Sequence, residues 1–167
     1  RGRSRWLEWV DIGGPDISLM VRTLARHRIP VDPTLVAYHT KFWGDDARYL
    51  QNPDLKIVPD LILRQWRPGW LNWSADEFRR ARRMWPKVLQ FVRLYYDEGV
   101  MLLAGSDTPN PWVVPGAGFH RELELLVEAG IPPLAVITIA TSNGAKALGI
   151  DGDTGTVKTG HRADLVA

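Results

Sequence analysis

Gly99-Val100-Met101-Leu102-Leu103-Ala104-Gly105-Ser106-Asp107-Thr108-Pro109 carries most of what this chain says about its own architecture. Five apolar residues in a row, bounded by glycines, are too few for a stable helix. A continuous apolar run of that length fits a strand buried on both faces of a parallel sheet. Gly105 and Ser106 then turn the backbone, and Asp107 stands just past the C-terminal end of the strand. A carboxylate fixed there can ligate a divalent metal, take a proton from metal-bound water, or do both. Taken alone, it can equally cap a helix or close a turn.

Upstream, Ser74-Ala75-Asp76-Glu77 has the form of a capping box, with the Ser74 hydroxyl meeting an orphan N–H and Glu77 reaching back. The helix it opens is expected to break at Pro86. Around that proline, Trp85, Val88, Leu89, Val92, Tyr95 and Tyr96 share one helical face as far as Gly99. Residues 40–73 show weak periodicity, several prolines and glycines, and Trp43, Trp66, Trp70 and Trp73; they read as a long, lid-like excursion. Ile29 to Tyr38 is β-rich but punctuated by Pro30 and Pro33, and reads as a strand leading to His39. Before it, Pro15-Asp16 opens a helix with Asp16 as candidate cap and Ile17, Met20, Val21 and Leu24 as its apolar stripe.

Downstream, a Pro/Gly-rich loop runs to Gly118, and His120 to Glu128 reads as a helix closed by Gly130. Further helices are expected from Pro132-Pro133 and from Thr141 to Leu148, and Gly152 to Ala167 is strand-like. Strands alternating with helices imply an α/β fold with parallel pairing and right-handed crossovers. In such folds chemistry gathers at the C-terminal ends of strands, here around His39 and Asp107.

The composition excludes other classes. The chain has 167 residues, 45% of them apolar, enough for one modest domain with a core and incompatible with a disordered or fibrous chain. No apolar run approaches the roughly 20 residues a membrane-spanning helix needs. With no cysteine, disulfide frameworks and thiolate metal sites are ruled out. A net charge of +2 is too weak a field to call for a nucleic-acid or membrane partner. Arg79, Arg80, Arg82 and Arg83 fall on the polar side of a helix diluted by Asp76 and Glu77, which reads as a solvated face. The eight tryptophans are expected to pack the excursion or to cover an apolar pocket.

Set in order, Gly99 to Pro109, Pro115-Gly116, His120-Arg121-Glu122-Leu123 and Leu126-Val127-Glu128-Ala129-Gly130-Ile131-Pro132-Pro133 form an ordered series of blocks. Ala140-Thr141-Ser142-Asn143-Gly144-Ala145, Ala147-Leu148-Gly149, Gly155 and Gly160-His161-Arg162-Ala163-Asp164-Leu165 continue it. The series, over roughly residues 97–167, resembles the C-terminal part of the metal-dependent amidohydrolase superfamily, in particular its imidazolonepropionase-like members. Residues 15–38 are similar to the stretch leading into the seventh barrel strand.

The resemblance implies a partial (β/α)8 TIM-type barrel. Strands seven and eight with their helices would occupy residues 1–150, the end of strand six would lie in Trp6 to Val10, and residues 151–167 would start a small β-sandwich. It implies hydrolysis of amide, cyclic amide or dipeptide-like C–N bonds in small substrates. Asp107 would be both metal ligand and catalytic proton shuttle, and the cofactor a divalent metal, zinc foremost. His39, Thr108, Asn110 and His120 are the candidate substrate-binding residues.

The family's His-x-His pair and its other metal ligands have no counterpart among His27, His39, His120 and His161. The chain opens Arg1-Gly2-Arg3-Ser4-Arg5 and stops within Ala163 to Ala167. It is therefore read as a fragment lacking the N-terminal half of its barrel, inactive alone and without bound metal. The open strand edges are expected to be covered by a homo-oligomer or a strand exchange. The alternative is a non-catalytic binding or scaffold module of the same fold. The compartment is not specified, a cytoplasmic one being favoured.

Overall fold

A computed structural model describes residues 6–66 and 71–165. In chain order its helices are α1 (Trp6–Trp9), α2 (Pro15–Arg26), α3 (Leu35–Phe42), α4 (Ala47–Leu50), α5 (Asp60–Leu63), α6 (Ala75–Asp97), α7 (Ala117–Glu128), α8 (Pro133–Thr138) and α9 (Gly144–Leu148). A 3-10 turn at Pro53–Ile57 precedes α5, and a π-helical turn at Ile139–Asn143 joins α8 to α9.

The two expected strands shrink to one parallel bridge, Val31 with Leu102. The Val31 N–H donates to the Met101 carbonyl at 2.9 Å, and the Leu103 N–H donates to the Val31 carbonyl at 2.9 Å. That is the slanted pattern of a parallel pair. The ladder stops there because the next donor on that strand belongs to Pro33, which has no N–H. Behind Val31, the Ile29 N–H is still engaged by Leu24 at the exit of α2. Residues 35–38, expected in the strand, instead open α3 after a left-handed turn at Thr34. The outer carbonyl of Leu102 receives the side-chain amide of Asn143 at 2.9 Å rather than another strand.

Other expectations are corrected in the same way. Trp6–Trp9 forms a helical turn, not the end of a strand. The described part of 151–167 consists of turns and bends with no sandwich strand; Val166 and Ala167 lie outside the described residues, as do Arg1 to Arg5 and Trp70. Asp16 sits in the first turn of α2, and the cap position is Gly14. α6 runs through Pro86 unbroken: losing one helical hydrogen bond is offset by the apolar area that Ala81, Trp85 and Val92 bury on either side. His120 lies inside α7, which starts at Ala117.

The main core lies between α3, α6, α7 and α8, with Leu35, Leu102, Leu125, Leu126 and Ile131 at its centre. A second, smaller core of Val58, Trp66, Trp112 and Val114 gathers under the excursion. The excursion is therefore a set of short helical turns with its own apolar anchor. The arginines of α6 pair with carboxylates, Arg79 with Asp76, Arg80 with Glu8 and Arg82 with Asp45, as a solvated face does. No helix among the described residues is long and apolar enough to cross a membrane.

Candidate active site

Past the bridge, the backbone carries Gly105 and Ser106 to Asp107, which takes a left-handed φ of 52°. Gly105 is required by a close approach. A Cβ there would stand 2.0 Å from Oδ2 of Asp32, while Oδ1 of Asp32 accepts the Gly105 N–H at 3.1 Å. The same Oδ1 accepts the Thr34 N–H at 3.2 Å. The residue after Val31 thus fastens the exit of one bridged segment to the exit of the other.

Asp107 is exposed, and its partner is Asn110. The Asn110 side-chain amide donates to Oδ2 of Asp107 at 2.6 Å and to its carbonyl at 2.9 Å, and the Asn110 N–H donates to that carbonyl at 3.0 Å. This local ring of hydrogen bonds sets the carboxylate's direction. Thr108, also exposed, meets the Ser106 hydroxyl at 3.0 Å and so braces the turn. Above it, Trp66 of the second core donates its indole N–H to the Pro109 carbonyl at 3.3 Å and meets Trp112 edge-on at 6.0 Å. The excursion is tied down on the Asp107 loop by a tryptophan.

Asn110 also lines a cavity of about 740 Å³ between α3 and α6. Tyr38, Phe42, Trp73, Phe91 and Tyr95 supply its aromatic wall, with Asp32 and Lys41 as its charged lining residues. A volume of that order suits a small molecule.

His39 does not stand at the end of a strand. It is buried in the middle of α3, its ring stacked on Trp43 at 4.2 Å, edge-on to Trp85 at 5.1 Å, with Nδ1 against the Tyr49 hydroxyl. Burial, reinforced by the positive charges of Arg121 and Arg48, drives its pKa down to about 4, and burial pushes Tyr49 up to about 12. His39 is thus a neutral ring in an aromatic box, and no contact joins it to residues 105–110. His120 is exposed on α7. Of the five residues singled out in the sequence, the fold gathers Asp107, Thr108 and Asn110 and leaves the two histidines elsewhere.

Sequence reasoning passed over two carboxylates. Asp32 was hidden in a run read as a strand, although an Asp two residues before Thr34 fits the Asx-type turn found there. Glu122 stands in the His120-Arg121-Glu122-Leu123 block with no role of its own in the sequence. It is fully buried on α7 and accepts the Val36 N–H at 2.7 Å. Its spacing from Leu125, Leu126 and Ala129 places it on the buried stripe of α7, the signal that could have found it. Among the described residues no three His, Cys, Asp or Glu side chains gather where they could hold a metal ion.

With the geometry in hand, three comparisons can be set beside it. The amidohydrolase family model matches residues 78–167, more than half of the chain and all of the Asp107 loop. Among solved structures, a bottromycin amidohydrolase is similar at 28% identity with a TM-score of 0.61, over 72% of this chain. The chain spans 28% of that protein's length. The comparison with curated proteins returned no match.

Proposed function

This chain belongs to the amidohydrolase family, and from that premise we propose that it is part of a hydrolase that cleaves carbon–nitrogen bonds in small amides, cyclic amides or dipeptide-like compounds. The family implies a TIM-barrel setting, in which Asp107 leaves the C-terminal end of the bridged segment, the side where such barrels do their chemistry. The observation that carries the reading is the family match across the loop that holds Asp107 by three hydrogen bonds from Asn110. The likeness to a bottromycin amidohydrolase supports the same reaction class. Its imidazolonepropionase-like character rests on the ordered blocks of residues 97–167.

In the proposed reaction Asp107 takes a proton from the attacking water as the new C–O bond forms. It returns that proton to the nitrogen as the C–N bond breaks, so the carboxylate ends as it began. Asn110 orients the carboxylate for both transfers. The aromatic cavity beside Asn110 favours a substrate with an apolar ring or side chain. A divalent metal, zinc foremost, would activate the water in the family's usual manner. This chain offers Asp107 toward such a centre and, among the described residues, no cluster beside it; we propose that the remaining ligands lie on barrel strands it does not span and that the chain alone is inactive.

The test is hydrolysis of a panel of cyclic amides and dipeptides by a gene product that carries further barrel strands, with Asp107→Asn beside it. Loss of about a hundredfold or more in turnover is expected in the variant. Equal rates for the two proteins would remove Asp107 from the chemistry. Cleavage of nothing in the panel, with ligands still bound, would favour the non-catalytic module. The short bridge leaves little edge to pair, and we propose that further barrel strands or a second copy cover it; a monodisperse monomer of the longer product by sedimentation would exclude the second copy.

A further inference from the structure

α7 begins where the Asp107 loop ends, and its inward face carries Gly118, Glu122 and Leu125 in successive turns. Gly118 lies so close to the loop that a Cβ there would stand 2.7 Å from Cγ1 of Val113 and 3.7 Å from Cβ of Ser106. One turn on, Oε2 of Glu122 accepts the Val36 N–H at 2.7 Å, and the neighbouring Leu35 N–H also favours the carboxylate's charged form. These are among the first N–H groups of α3, which no residue of α3 itself can satisfy. Thr34, just before α3, is left-handed and supplies no side-chain cap. Oε1 of Glu122 is buried and has no hydrogen-bond partner. On the exposed side of the same junction, Asp32 holds Gly105 and Thr34. Two carboxylates therefore fasten residues 31–36 to residues 105–122, one attached before Asp107 and the other after it.

We propose that Glu122 is a positioning residue for Asp107: by capping α3 from α7 it clamps the far end of the loop whose near end Asp32 holds, and it acts on hydrolysis only through the carboxylate so placed. This rests on Asp107 being the working carboxylate of the proposed hydrolase. A merely apolar contact between α3 and α7 would pack the two helices without the cost of burying an ionisable group. Burial pushes the Glu122 carboxyl up to about 7, against the pull of the Val36 and Leu35 N–H groups and with a further push from the negative charge of Asp32. His39 and Lys41 on α3 and Arg121 on α7 are engaged elsewhere, by Tyr49, Tyr38 and Glu124.

The experiment is NMR on the 15N-labelled 167-residue chain, following the Val36 backbone amide and the Asn110 side-chain amide between pH 5 and 9. In the wild type the Val36 resonance should titrate with a midpoint near 7, and Glu122→Gln should abolish that titration while leaving Asn110 in place. Glu122→Asp, which keeps the charge but retracts it, should shift the Asn110 resonance, and Glu122→Ala should speed its exchange by about tenfold or more. Leu125→Ala, a core truncation on the same face, should leave Asn110 unmoved. If Glu122→Ala fails to fold, the Asp and Gln variants decide. A Val36 amide that does not titrate, an Asn110 signal indifferent to Glu122→Asp, or an equal response to Leu125→Ala would each overturn the proposal. Since no turnover is read, an inactive longer gene product would sink the hydrolase reading without touching this result.

Discussion

The starts of α3 and α6 meet the same difficulty in opposite ways. Each leaves N–H groups that its own backbone cannot pair. α6 satisfies them from four consecutive residues: Glu77 donates its N–H to the Ser74 hydroxyl at 3.3 Å, and its carboxylate accepts the Ser74 N–H at 2.8 Å. α3 has no such neighbour and borrows a carboxylate from a helix 86 positions away. The first cap is exposed and replaceable by water. The second is buried, so removing it strands donors where water cannot follow. Local caps stabilise an element, whereas remote caps also fix where two elements stand.

That contrast sets the order of expected effects. Glu122→Ala should cost about 3 kcal/mol in urea unfolding, since it leaves the buried Val36 N–H without its acceptor and opens a void. The pH dependence comes next. Between roughly pH 4.5 and 7 the folded chain keeps a proton on Glu122 that the unfolded chain has released, so this group stabilises the fold in acid and that contribution disappears as pH rises through about 7. Glu122→Gln should therefore gain on the wild type by about 2 kcal/mol between pH 5 and 8. His39 works in the other direction. Its stabilisation is present above about 6.5 and lost as pH falls through about 4, in both proteins alike, so it cancels in the difference.

Gly105→Ala should cost about 1–2 kcal/mol by swinging Asp32 off both of its N–H donors, and circular dichroism melts can measure it. Smallest is Ser74→Ala, at about 1 kcal/mol, with the loss confined to faster amide exchange in the first turn of α6. A Ser74→Ala loss as large as that of Glu122→Ala would erase the distinction between the two caps.

What could be read in advance follows the same division. The capping box, the apolar face from Trp85 to Tyr96, the helix ending at Glu128 and the Asp107 turn depend on residues close together in sequence, and each stood where expected. Asn110 was legible only as a residue lining the pocket; its hold on Asp107 came from the structure. The strand at Ile29 to Tyr38 failed because its second half is held as a helix by Glu122, which no local pattern announces. His39 followed that error, since a residue expected at a strand end became a buried ring among Trp43, Tyr49 and Trp85. Pro86 was expected to end a helix, but the core on both sides of it outweighed one missing hydrogen bond.

The chain's own residue order was enough to settle its family, the turn that presents Asp107 and the helix opened by the Ser74 capping box, because short-range sterics and hydrogen bonds decide these. It could not settle that two strands would pair at a single residue, that α3 would start at Leu35, or that Asp32 and Glu122 would brace the Asp107 loop from both ends. Those outcomes depend on groups brought together from 73 and 86 positions apart. A buried carboxylate gains its worth only from the donors that folding places around it.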